Sequence, residues 1–190
     1  MKDQVWWTRK ARINAENRLL ANQRWMELLL IWYSLLAVFT SIWLLAFGAE
    51  DQQHIPFIFT CFSIFILAFS LYGANSRFSQ RASQMKENYI ALQQLYFLVK
   101  DASSTQREHR EEYSKLLNIA ENHTEADDVR AVLYEWYKST DKKLVSRKPR
   151  AHQYVYFAYH CIIRSLFLLL LFSLPIALIT ISFYGDLCAA

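Results

Sequence analysis

Apolar positions along the chain gather into three long blocks, and the polar stretches between them keep a different rhythm. Leu28 to Gly48, Ile55 to Ala74 and Ser165 to Gly185 contain no charged residue. Each is close to the ~20 residues an α-helix needs to cross a hydrocarbon core of ~30 Å. The pattern predicts three transmembrane helices. A cleavable signal peptide is the competing reading of the first block. Both the apolar run and the polar segment ahead of it are too long for one.

After the second block, Phe78, Ala82, Met85, Tyr89, Leu92, Tyr96 and Val99 recur at alternating steps of four and three. That is the a/d repeat of a coiled-coil seam. The same phase runs back through Ala74, Ser70, Leu67, Ser63 and Thr60, which predicts one helix from the second span to about Lys100. Ahead of the first span, Ala11, Ala15, Leu19, Asn22, Met26 and Leu29 form a weaker stripe, and Arg9, Arg12, Glu16 and Arg24 mostly fall off it. No Pro or Gly interrupts Lys10 to Trp25. A continuous helix leaves no unsatisfied backbone groups at the interface, so one helix should enter the first span, its polar half packing on the Phe78-to-Val99 seam. Trp25 and Trp32 suit the inner interfacial belt, whereas Trp6 and Trp7 lie farther out and should pack on protein.

Two shorter helices follow. Thr105-x-x-Glu108 has capping-box spacing and opens a helix with Tyr113, Leu116, Leu117 and Ala120 on one face. Thr124 caps the next, with Glu125, Asp127 and Asp128 in the first turn and Val129, Val132, Leu133, Trp136 and Tyr137 on the apolar face. Both should fold back onto the long hairpin, and Pro149 ends this part.

The fold class expected is an all-α membrane protein. A transmembrane helical hairpin extends into the cytoplasm as a coiled-coil-like helix pair, with two shorter cytoplasmic helices and a third, C-terminal transmembrane helix. Its segments are 1–100 (spans at about 28–48 and 55–74), 101–150 and 151–190.

Charge adds orientation. All 21 Lys and Arg lie before the first span, between spans two and three, or at the start of span three, as Arg164 does. The positive-inside rule then places the N-terminus and residues 76–153 in the cytoplasm and the C-terminus outside. The net charge of +4 follows from this arrangement, so direct nucleic-acid binding is not inferred from it.

Chemistry-bearing patterns are sparse. No GxGxxG, P-loop, GxSxG or HExxH motif occurs, and three glycines leave little material for phosphate-cradling loops. No enzyme activity, cofactor or metal is expected. Adjacent helical residues point about 100° apart, so Asp127 and Asp128 read as a solvated helix N-terminus rather than a catalytic pair. His109 lacks a second histidine at ligand spacing and reads as a surface residue. Cys61, Cys161 and Cys188 show no metal-ligand or disulfide pattern. Arg147, Lys148 and Arg150 form a juxtamembrane basic cluster, read as attraction to anionic lipid headgroups, with a nucleic-acid contact as the alternative.

Within the spans, Ser34, Ala37, Ser41 and Gly48 share one stripe, and Thr60, Ser63, Ser70 and Ala74 another. Small and hydroxyl residues at these spacings either let helices pack closely or line a weakly polar pore. Ser34, Ser41, Thr60, Ser63 and Ser70 are therefore candidates for a pore or packing stripe. Phe78, Met85, Tyr89, Leu92 and Tyr96 are candidates for a coupling or oligomer seam.

The runs Trp7-Thr8-Arg9-Lys10-Ala11-Arg12-Ile13-Asn14-Ala15-Glu16, Arg18-Leu19-Leu20 and Trp32-Tyr33-Ser34-Leu35 resemble the SLATT family of bacterial two-transmembrane effector domains. The resemblance covers about residues 5–145, and the third span looks like an addition to it. It implies an inner-membrane effector of antiphage defence that oligomerises and permeabilises the membrane when a partner senses infection. Such partners include nucleotide-second-messenger synthases and reverse transcriptases. One copy has too few spans to enclose a water-filled path, so a pore requires a homo-oligomer in membrane lipid. The alternative is a non-pore scaffold or sensor subunit that docks a soluble defence enzyme, a reverse transcriptase or nucleotidyltransferase.

Overall fold

A computed structural model describes residues 1–47, 54–101 and 106–189. Among the described residues the chain forms six α-helices and no strand: α1 (Lys2–Phe47), α2 (His54–Ser76), α3 (Phe78–Asp101), α4 (Gln106–Ile119), α5 (Glu125–Lys138) and α6 (Ala151–Ala189), with a short 3-10 turn at Lys142–Leu144. The Thr105 cap predicted for α4 lies outside the described residues. The protein is all-α, and α1, α2 and α6 are long and apolar enough to cross a membrane.

The N-terminal tract and the first span are one helix, α1, as the absence of a breaker predicts. The second expected continuity fails. The helix leaving span two stops at Ser76 and restarts at Phe78, because Arg77 adopts φ 46°, the one positive φ at a non-glycine residue among those described. A side chain with a Cβ is disfavoured there. The heptad phase therefore runs through a backbone break at a residue that is neither Gly nor Pro.

The chain divides into two compact units, the first comprising Met1–Asn22 and Phe78–Ile162, the second Gln23–Arg77 and Ile163–Ala190. In the first, the start of α1 lies against α3, α4 and α5 through three apolar clusters. Ala15 and Leu19 meet Ala82, Met85 and Ala120. Val5 meets Leu92, Leu95 and Leu116, and Trp7 meets Ala131 and Val132. Small residues on α1, Ala11 and Ala15, are fully buried, as close helix approach requires. The buried face of α3 is wider than the seam, since Asn88 and Leu95 are buried beside Ala82, Met85 and Leu92. The reason is that α3 is covered from two sides, by α1 and by α4.

In the second unit, Met26, Leu29, Tyr33 and Thr40 form the buried stripe of α1. Met26 lies over Gly73, where an added Cβ would sit 3.0 Å from its terminal methyl. Tyr33 packs against Phe62 and Phe65 of α2, with ring centroids 6.0 and 5.3 Å away. Trp32 donates its indole N–H to the Phe172 carbonyl of α6 at 3.1 Å, and Trp25 meets the Phe172 ring edge to face. Most other large side chains of this unit are exposed, among them Leu35, Phe39, Ile64, Leu71, Leu166 and Phe167. Apolar surface of this extent is what lipid or another copy of the helix covers.

Candidate functional site on the docking face of the first helix

The polar residues at the start of α1 form a strip that receives the ends of two other helices. An α-helix leaves its last four carbonyls without internal partners, and the last turn of α4 shows how they are met. Arg12 donates Nη1 to the Leu116 carbonyl at 3.4 Å and Nη2 to the Leu117 carbonyl at 3.3 Å. Asn88 of α3 donates to the same Leu116 oxygen at 2.7 Å. The guanidinium sits at the negative end of the α4 dipole, which offsets part of the cost of burying a cation that is fully excluded from solvent. Burial nonetheless holds the Arg12 pKa below its ordinary value, with Tyr113 opposing that shift.

Farther along the helix, α1 holds the start of α5. Arg18 forms a forked ion pair with Asp127, Nε to Oδ1 at 3.0 Å and Nη2 to Oδ2 at 3.1 Å. Asn14 donates to the Asp127 backbone carbonyl at 3.2 Å. Asp127 also accepts from the Thr124 amide at 3.0 Å and the Thr124 hydroxyl at 2.8 Å. One buried carboxylate thus closes the N-terminal turn of its own helix and binds α1. Fork geometry and full hydrogen bonding are the conditions under which a buried ion pair holds. Glu16, on the same strip, interacts with Tyr89 of α3. Burial first and then the Glu16 carboxylate push the Tyr89 phenol above its ordinary pKa.

Asp128 points elsewhere. It takes a second forked pair from Arg147, at 2.9 and 3.0 Å. The Arg147 guanidinium also lies 5.3 Å from the Trp7 ring, a cation–π distance. Trp7 in turn donates its indole N–H to the Ser146 hydroxyl at 2.8 Å, and Ser146 donates to Asp3. A cleft of about 600 Å³ opens beside these groups, lined by Gln4, Thr8, Tyr113 and His123 among others. Thr8 and Tyr113 share a hydrogen bond of 2.8 Å. His123 Nδ1 is buried without a partner. Burial lowers its pKa, Asp128 and Asp127 oppose the shift, and Arg12 and Arg147 reinforce it.

Three expectations need correction. Asp127 is not a solvated carboxylate but 2 % exposed, because Arg18 arrives from α1. Arg12 does not lie off the buried stripe; it is wholly enclosed, since the end of α4 supplies acceptors at that position. His109 is buried rather than on the surface, on the side of α4 that bears Leu116.

The residues singled out for function fall in three places. Met85 and Leu92 are fully buried, and Phe78, Tyr89 and Tyr96 are half-buried, all in the first unit. Ser34, Ser41, Thr60, Ser63 and Ser70 are exposed on this single chain. The packing within the second unit runs through Met26, Leu29, Tyr33 and Thr40 instead. Of the basic cluster, Arg147 is held by Asp128, while the exposed Lys148 and Arg150 make no ion pair among the described residues. No cluster of three or more His, Cys, Asp or Glu suited to a metal ion occurs among the described residues.

A comparison with protein families matches residues 1–180 to SMODS and SLOG-associating 2TM effector domain family 5. The match passes the expected limit near residue 145 and takes in most of α6, so the third apolar helix lies within the family's extent. No curated protein and no solved structure matches the chain.

Proposed function

The chain belongs to the SMODS and SLOG-associating 2TM effector domains, and from that premise we propose that it is an oligomeric inner-membrane effector of bacterial antiphage defence. In this reading, copies assemble through their apolar helices and permeabilise the membrane through a poorly selective path once a signal reaches the first unit. The first unit faces the cytoplasm, and the C-terminus faces outward. The observation that carries the reading is where the hydroxyl residues of the spans lie. Ser34, Ser41, Thr60, Ser63 and Ser70 are exposed on the single chain, so they stay accessible to a second copy or to water. The spans carry no charge that would make an ion filter, which suits a poorly selective path.

Purified full-length protein in liposomes tests this directly. Release of an entrapped dye, and collapse of an imposed potential, are expected once the protein is assembled or triggered. Tight vesicles containing demonstrably oligomeric protein, with no release in triggered cells either, would refute the pore. A second reading is a membrane scaffold that docks a soluble defence enzyme. It is supported by Tyr134 and Tyr137 of α5, exposed on the surface of the first unit. A scaffold binds its enzyme without ion flux, so the same leakage assay separates the two.

A further inference from the structure

The groups in front of α6 are arranged differently from the rest of the surface. A cleft of about 390 Å³ is lined by Val132, Arg147, Lys148, Arg150, His152 and Gln153 among others, and no acidic side chain lines it. Asp128 neutralises Arg147, and Asp3 accepts a hydrogen bond from Ser146, another lining residue. Lys148, Arg150 and His152 are exposed and have no ion-pair partner among the described residues. Gln153 turns back to accept from the Arg150 amide at 2.9 Å, and the Gln153 amide donates to the Arg150 carbonyl at 2.9 Å. This fixes the backbone at which the two free cations begin. Ala151 then opens α6, whose first turn adds the positive end of a helix dipole.

We propose that this cleft binds a soluble phosphate-bearing anion. Two unpaired cations, a planar guanidinium able to grip two oxygens and a helix start suit a multiply charged phosphoryl group better than a single carboxylate. Lipid headgroups offer the same chemistry, and the anionic-lipid arm of the test below separates the two sources. The inference goes beyond the pore reading and does not depend on it.

The test uses full-length protein in nanodiscs of zwitterionic lipid, titrated calorimetrically with inorganic pyrophosphate. Saturable binding is expected, weakening as salt rises. The double variant Lys148→Ala/Arg150→Ala should bind at least tenfold more weakly, with an unchanged helical circular dichroism spectrum. A control double variant on α4, Arg107→Ala/Arg110→Ala, should bind as the parent does. No binding, or binding that the cleft variant leaves intact, overturns the proposal. So does a third result, in which pyrophosphate does not bind but the cleft variant loses enrichment of anionic lipid in mixed nanodiscs; the cleft is then a headgroup site.

Discussion

The Tyr33 hydroxyl donates to the backbone carbonyl of Leu171 at 2.9 Å, and Leu171 lies four residues before Pro175, inside α6. Proline has no N–H to give that carbonyl. A side chain from α1 thus supplies the hydrogen bond that α6 cannot make for itself, and Trp32 supplies the next carbonyl, that of Phe172. The Trp32-Tyr33-Ser34-Leu35 run that carries part of the family resemblance therefore has a definite task for its first two residues, holding the third apolar helix at its proline.

Tyr33→Phe removes the donor and leaves a buried acceptor, at a cost of about 1–3 kcal/mol. Pro175→Ala restores an N–H at the right place in the helix, so Tyr33→Phe should cost much less in that background. Reversible unfolding in mixed micelles gives the coupling energy, expected at ~0.5–3 kcal/mol. Equal losses in both backgrounds would show that the two residues are not linked in this way.

Arg18→Ala strands the Asp127 carboxylate in the interior of the first unit. Removing one partner of a buried pair costs about 3–5 kcal/mol, and Arg18→Lys should recover only part of it because an ammonium cannot form the fork. Hydrogen exchange of the α5 amides is the sensitive measurement, since Asp127 also closes the first turn of that helix. Unchanged protection across residues 125–138 in Arg18→Ala would contradict the role given to the pair.

His123 makes stability depend on pH in a known direction. Its folded pKa is lowered from the ordinary 6.5, so the unfolded chain takes up the proton first. The contribution is complete above the unfolded value and declines as pH falls from about 6.5 toward the folded value. Thermal melts at pH 7.5 and 5.5 should show a larger drop for the parent protein than for His123→Gln. An equal drop in both would assign the pH effect to other groups.

Orientation has a chemical reporter in the three cysteines. An impermeant maleimide added to outer-membrane-permeabilised cells should label Cys188 and spare Cys61, in the second span, and Cys161, on the inner side of the third. Replacing Cys188 by Ser should abolish labelling. Labelling of Cys161 instead, with Cys188 protected, would invert the topology.

Much of the helical framework was readable because periodicity is a local property. The steps through Ala82, Met85 and Leu92, and through Ala11, Ala15 and Leu19, name residues that are buried in the structure. What escaped was set by distant parts of the chain. Arg12 looks like a surface cation until the end of α4 is placed beside it. Asp127 looks like a solvated cap until Arg18 arrives. The break at Arg77 escaped for the opposite reason, since the heptad phase continues across it and the positive φ falls on an arginine, not on the nearby Gly73 or Asn75. A capping-box aspartate followed by a second carboxylate, with Arg18 on α1 and Arg147 ahead of α6, was the one signal available for the two forked pairs. Spacing alone could not match them.

The first unit is also discontinuous in time. Residues 1–22 emerge from the ribosome well before Phe78–Ile162, with Gln23–Arg77 made in between. At ~5–20 residues per second the delay is several seconds. Throughout it Arg12 and Arg18 remain hydrated, since Leu116, Leu117 and Asp127 have not yet been synthesised. Closure of the unit consequently comes after the first two apolar helices have left the ribosome, and a chain released before Asp127 keeps an open strip of cations that a full-length chain does not show.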